Sequence, residues 1–278
     1  MLVRLVGILA VIMLVAAGCS TQQPTAPNLD QLNDDQSLGG FDDGMGDDVA
    51  SAAKFGFGYG HQREVTFLVR IENVSTGMTL HLSNGETAPA PHSPGVWAVT
   101  RLFNPLFKVG RFDQGLGLEQ QAEDGNPAIL AGNIENKPFV KSSGVFTTPV
   151  GDAGPGPATP GKAYEFMVTA SPGDHLSFTS MFGQSNDLFY APGVFGIPLF
   201  TWGWKPVDGD VTRFVRLWDA GTEVNQEPGL GPDQAPRQSG PNTGASEHKR
   251  VFPVRDQYTY PATNEVIKVT ITPVDAMS

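Results

Sequence analysis

Asp219 and Glu223 stand four residues apart in the stretch LWDAGTEVNQEPG (217–229), with only Ala220, Gly221 and Thr222 between them. Two carboxylates held this close repel unless something positive sits between them. A strand ending at Asp219, followed by a tight fold-back at Gly221, would aim both acids into one small space. The nearest basic residues are Arg216, which belongs to the strand on the side of Phe214 and Trp218, and Arg237. A hard cation takes several oxygen ligands, and calcium accepts carboxylates and carbonyls in irregular geometry. An Asx-type turn, with Asp219 capping local amides, accounts for the same spacing without a metal. Spacing alone leaves both readings open. A third acid, Asp187, follows the strand that opens SFTSMFGQSNDLFYAP (177–192). It shares the edge with Asp219 if the two strands are neighbours, and is otherwise a turn acid.

Other chemistries find less support. The five histidines, His61, His81, His92, His175 and His248, have no metal-ligand spacing, which argues against zinc. There is no Gly-x-Ser-x-Gly and no phosphate loop. Glu119, Glu123 and Asp124 supply an acid pair of the kind that cleaves glycosides, but an acidic chain offers many such pairs. Of the four tryptophans, Trp97, Trp202, Trp204 and Trp218, the segment FTWGW (200–204) offers the best exposed aromatic surface.

The elements that position these residues read as strands. Val65, Phe67, Val69 and Ile71 alternate with polar neighbours, broken only by Leu68. Tyr164, Phe166 and Val168 lead through Ser171-Pro172-Gly173-Asp174 to Leu176, Phe178 and Phe182, a predicted hairpin. DVTRFVRLWD (210–219) is predicted as one strand entered through Asp208-Gly209, and NEVIKVTITP (264–273) as a closing strand with Ile267, Val269 and Ile271 inward. One or two short helices are predicted in 115–135, using Leu116, Ile129, Leu130 and Ile134 to pack across an open end or face. Two long loops, 147–162 and 224–247, stand out. The sum is an all-β fold, an antiparallel β-sandwich with one or two short helices and long loops.

The net charge of −11 and isoelectric point near 4.8, with no basic stripe, argue against a nucleic-acid partner. Thirty-three Gly and 23 Pro fit a turn-rich β domain. Residues 1–18 are predicted as a lipoprotein signal peptide: Arg4, an apolar run from Leu5 to Ala17, then Ala-Ala-Gly-Cys. Cys19, the only cysteine, is the expected lipid attachment, and Ser20 after it favours the outer membrane of a two-membrane cell. The expected location is the bacterial cell envelope, lipid-anchored at the outer membrane or cell surface rather than freely secreted. Residues 19–60 are predicted as a disordered tether rich in paired aspartates, reaching on the order of 35 Å. The acid pairs lack the spacing of a calcium loop. The domain itself is expected over 61–278.

Four blocks, SPGVWAVTR (93–101), GLEQQAEDG (117–125), PGDHLSFTSMFGQSNDLFYAP (172–192) and LWDAGTEVNQEPG (217–229), appear in an order and spacing that resembles the spondin N-terminal domain. That module occurs in secreted animal matrix proteins and in bacterial lipoproteins, and the resemblance covers roughly 63–273. It implies a β-sandwich with calcium at one end, held by Asp187, Asp219 and Glu223. Animal members usually carry Asp where Glu223 stands, and they use disulfides that this chain lacks. Glu123 matches an acidic place in the family block without an assigned metal role. The implied function is a membrane-anchored binding or adhesion module whose ligand is a surface protein or glycan. The alternative is a metal- or carboxylate-dependent hydrolase of surface polymers.

Overall fold

The computed structural model describes residues 64–274. The predicted signal peptide, Cys19 and the acidic tether therefore lie outside the described residues. In chain order the elements are β1 (Val65–Asn73), β2 (Leu80–His81), β3 (Thr87–Ala88), β4 (His92–Thr100), α1 (Leu118–Glu123), α2 (Ala128–Ile134), β5 (Val140–Phe146), β6 (Ala163–Ala170), β7 (His175–Phe182), β8 (Leu188–Pro192), β9 (Ile197–Pro198), β10 (Gly209–Asp210), β11 (Val215–Asp219), β12 (Phe252–Pro253), α3 (Thr263–Val266) and β13 (Ile267–Val274). Strand accounts for 35% of the described residues and helix for 9%, as an all-β sandwich requires.

Two antiparallel sheets form the layers. The smaller runs β10-β13-β1-β6, and the larger runs β12-β11-β8-β7-β4-β5, with β9 pairing beside β7. β1 sits centrally, with Val69 opposite Ile271 on one side and Phe166 on the other. Phe67, Val69 and Ile71, spaced by two, point into the core between the sheets and are fully buried. They meet Phe178, Phe182, Leu188 and Tyr190 of the larger sheet in one apolar cluster. Ile267, Val269 and Ile271 belong to the same cluster, as their alternation predicts.

The larger sheet is covered on its other face as well. Val96, Ala98, Phe189, Ala191 and Trp218 pack beneath Leu106, Phe107, Leu118, Ala122, Leu130 and Ile134. β8 is consequently buried along its whole length, the continuous apolar pattern of a strand covered on both faces. The predicted helices lie across a face, not an open end. Their apolar set needs one correction: Ile129 is 46% exposed, and Leu118 and Ala122 supply the contact that Ile129 was expected to make.

A second correction concerns 164–182: β6 pairs with β1 in the smaller sheet and β7 with β4 and β8 in the larger, so the predicted hairpin is a crossing between layers. A third concerns 210–219. The predicted single strand is divided by a 3₁₀ turn at Thr212–Phe214. Asp210 Oδ1 accepts the Thr212 amide at 2.8 Å and draws the chain into that turn. Before it, β10 pairs with β13 in the smaller sheet; after it, β11 pairs with β8 in the larger one. The turn is the corner where the chain changes layers. Loop 147–162 is anchored by a buried amide. Asn73 Nδ2 donates to the carbonyls of Ala90 at 3.0 Å and Ala158 at 2.7 Å.

Candidate functional site

Asp187 and Asp219 are brought together by strand pairing. β8 and β11 are antiparallel neighbours, with Asp219 opposite Leu188. Asp187 therefore stands one residue outside the pair, at the same edge of the sheet. The Ala220 amide donates to the Asp187 carbonyl at 3.2 Å, extending the pairing past the strands. Gly221 then turns the chain at φ 71°. A side chain there would meet the Lys249 backbone at 2.7 Å, so the return of the chain past this point requires glycine.

The turn aims its amides at Asp187. Oδ2 accepts from the Thr222 amide at 2.7 Å, the Thr222 hydroxyl at 3.2 Å and the Glu223 amide at 3.1 Å. Asp219 Oδ1 accepts the Gly221 amide at 2.7 Å, and Oδ2 accepts Asn225 Nδ2 at 2.9 Å. The Asx-type turn posed from the sequence is thus present. Glu223 Oε1 accepts the Gly244 amide at 2.9 Å and Oε2 accepts Asn186 Nδ2 at 3.4 Å. Gly244 is close because it has no side chain: a Cβ there would lie 2.2 Å from the Glu223 carboxylate.

Three carboxylate oxygens in this neighbourhood are buried without a donor: Asp187 Oδ1, Glu123 Oε1 and Glu247 Oε2. Asp187 is 0% exposed, and Glu123 and Glu223 are each 2% exposed. Burial pushes the Glu123 carboxyl up to about 8; the Thr222 hydroxyl opposes this, and the charges of Glu223, Glu119 and Asp187 add to it. Burial and then the Asp219 charge hold Asp187 well above the usual carboxylate range. Asp219 and Glu223 are raised too, each chiefly by burial. The cluster has little positive charge to relieve it. Arg237 is spent on Gln184, Gln234 and the Gly231 carbonyl. Lys249 pairs with Glu247.

The donor set is oxygen only, as a hard cation prefers. Among the described residues, no three His, Cys, Asp or Glu side chains converge closely enough to hold one ion. The Asp219 charge acts on Asp187, while Glu223 is turned onto the Gly244 amide.

Several partners of these acids were not singled out from the sequence: Asn186, Thr222, Asn225, Gly244 and Glu247. The two asparagines flank the acids within two residues, and the Asn-Asp pair at 186–187 is the signal that could have found one of them. Gly244 lies 21 residues beyond Glu223, and only the fold relates them. The return segment is pinned by the Glu247 amide on the Thr222 carbonyl at 2.6 Å and the Lys249 amide on the Gly221 carbonyl at 2.9 Å. Of the acid group posed for glycoside cleavage, Glu123 faces this cluster and Asp124 accepts Gln238 Nε2 at 2.9 Å.

The aromatic segment lies at the opposite end. β9 pairs with the first residues of β7, whereas β7 leads at its far end toward Asp187. Trp202 is fully exposed and Trp204 is 61% exposed, the latter at φ 65°. Trp97 stacks on Phe166 at 5.5 Å, and Trp218 packs against Phe107 at 5.1 Å. Compared with protein-family models and with curated proteins, the chain matches none.

Proposed function

We propose that the chain is a membrane-anchored, extracytoplasmic binding module that carries a calcium-like cation at the Asp187 end of its sandwich. Asp187 and Asp219 would hold the ion, Glu223 would join them by leaving the Gly244 amide, and loop carbonyls would be further ligands. The observation that carries this reading is that two of the buried, donorless oxygens, Asp187 Oδ1 and Glu123 Oε1, lie in a cluster of mutually repelling carboxylates. An orphaned buried acceptor costs about 1–3 kcal/mol, and more when charged. A divalent ion offsets that cost and the repulsion together. The resemblance to the spondin N-terminal domain supports the same three residues. Bound cation would tie the turn after β11 to the return segment at 244–249, fixing the loops that meet a surface protein or glycan. Cys19 would supply the anchor. The function is recognition rather than turnover.

Because an ion bound only by the folded state stabilises it by mass action, added calcium is expected to raise the melting temperature. In the double variant Asp219→Ala, Glu223→Ala the rise disappears. An equal rise in that variant, read by differential scanning calorimetry with a chelator control, would refute the assignment.

A further inference from the structure

The cap over the outer face of the larger sheet contains a cavity of about 720 Å³. This lies within the range of small-molecule sites, roughly 300–1,000 Å³. Its floor is the outer apolar cluster: Leu106, Phe107, Leu118 and Val251 line it and are all buried. Its rim is apolar but open. Leu102, Phe103, Phe112 and Phe139 also line it, yet they are 62, 56, 52 and 47% exposed. Four large apolar side chains gathered around one opening are not the scattered exposure expected of an ordinary surface.

The polar groups at this opening are few and mostly of one sign. Lys108 and Lys137 line it, and neither forms an ion pair or a side-chain hydrogen bond among the described residues. The one acid, Asp113, is turned back so that Oδ2 accepts the Gly115 amide at 3.2 Å. In a chain of net charge −11, two free ammonium groups beside an apolar hollow are a local reversal of sign. The hollow shape and apolar floor suit an extended apolar ligand, and the two lysines suit one that ends in an anion.

We infer that this cavity binds a single acyl chain ending in an anion: the chain lies on Leu106, Phe107 and Leu118, and Lys108 and Lys137 meet the head group. The site is separate from the carboxylate cluster and uses none of its residues.

Isothermal titration of the full chain with dodecanoate below its micelle concentration tests this. The expected result is saturation at one ligand per chain. Shortening to octanoate weakens binding by about fourfold for each methylene that loses cover. Lys108→Glu with Lys137→Glu weakens dodecanoate at least tenfold. Phe112→Asp with Phe139→Asp, both at exposed positions, abolishes saturation while the circular dichroism spectrum stays that of the parent. Several results would overturn the inference. These are no saturable binding, dodecyltrimethylammonium binding as tightly as dodecanoate, binding that survives Phe112→Asp with Phe139→Asp, or a dimer that this variant dissolves, which would make a second copy the occupant.

Discussion

At the residue scale the Asp187 end is a set of acids made tolerable by amides. Each of Asp187, Asp219 and Glu223 accepts at least two hydrogen bonds, yet Asp187 Oδ1 and Glu123 Oε1 accept none. This predicts a pH dependence. A carboxyl whose folded value is raised binds its proton more tightly in the fold than in the unfolded chain. Between its ordinary value near 4.5 and about 8, the folded state therefore holds more of that proton, and stability falls as pH rises. The Glu123 contribution is present at acid pH and lost toward pH 8. In chelator, Glu123→Gln is expected to remove part of this decline, so that the variant gains on the parent as pH rises from 5 to 8. Chemical denaturation across that window measures it. A variant running parallel to the parent would show that Glu123 does not carry the charge. The second residue-scale expectation is steric. Gly244→Ala drives a methyl into the Glu223 carboxylate, and overpacking of this kind typically costs about 1–3 kcal/mol. A lower urea midpoint, corresponding to that loss through the unchanged m-value, is expected.

At the element scale the determining feature is that one sheet is covered twice. β7 and β8 lie between the smaller sheet on one side and the 102–134 cap on the other, so polar and apolar positions alike are buried. Loops in such a fold need internal partners for their carbonyls. Asn73 is the clearest case: it bridges the carbonyls of Ala90 and Ala158, and its Oδ1 accepts the Ser75 amide at 2.9 Å. Asn73→Ala leaves the Ala158 carbonyl with only the His92 amide at 3.2 Å and the Ala90 carbonyl with only the Ser75 hydroxyl at 3.4 Å, and is expected to cost about 1–3 kcal/mol in urea unfolding. The same covering explains what the sequence made legible. β1 and β13 alternate cleanly because their cores face one way, and both are read from spacing alone. The corner at Thr212–Phe214 is invisible in DVTRFVRLWD, since a strand that changes sheets keeps its apolar period through the bend. Ile129 differs for a related reason: the apolar period alone does not say which face of α2 meets the sheet. At the candidate site, the spacing of Asp219 and Glu223 and the turn at Gly221 were legible, because they are local. The contact of Glu223 with Gly244 was not, because it depends on a loop of 21 residues returning to its start.

At the scale of the whole molecule, β1 and β13 lie side by side in antiparallel register, with Thr66 opposite Val274. Partners across such a ladder sit about 5 Å apart. The described chain thus enters and leaves at one place, while the 238–244 segment lies far along the chain with exposed residues at its tip. A circular permutant follows from this. A short Gly-Ser linker joins 274 to 65, new ends open between Pro241 and Asn242, and every strand pairing is kept. It is expected to give the parent's circular dichroism spectrum and a cooperative unfolding transition. The adjacency also makes the domain insertable: spliced into a surface loop of a host protein, it would need no spacer to close the gap, and the host's backbone would continue as if interrupted by a single residue pair.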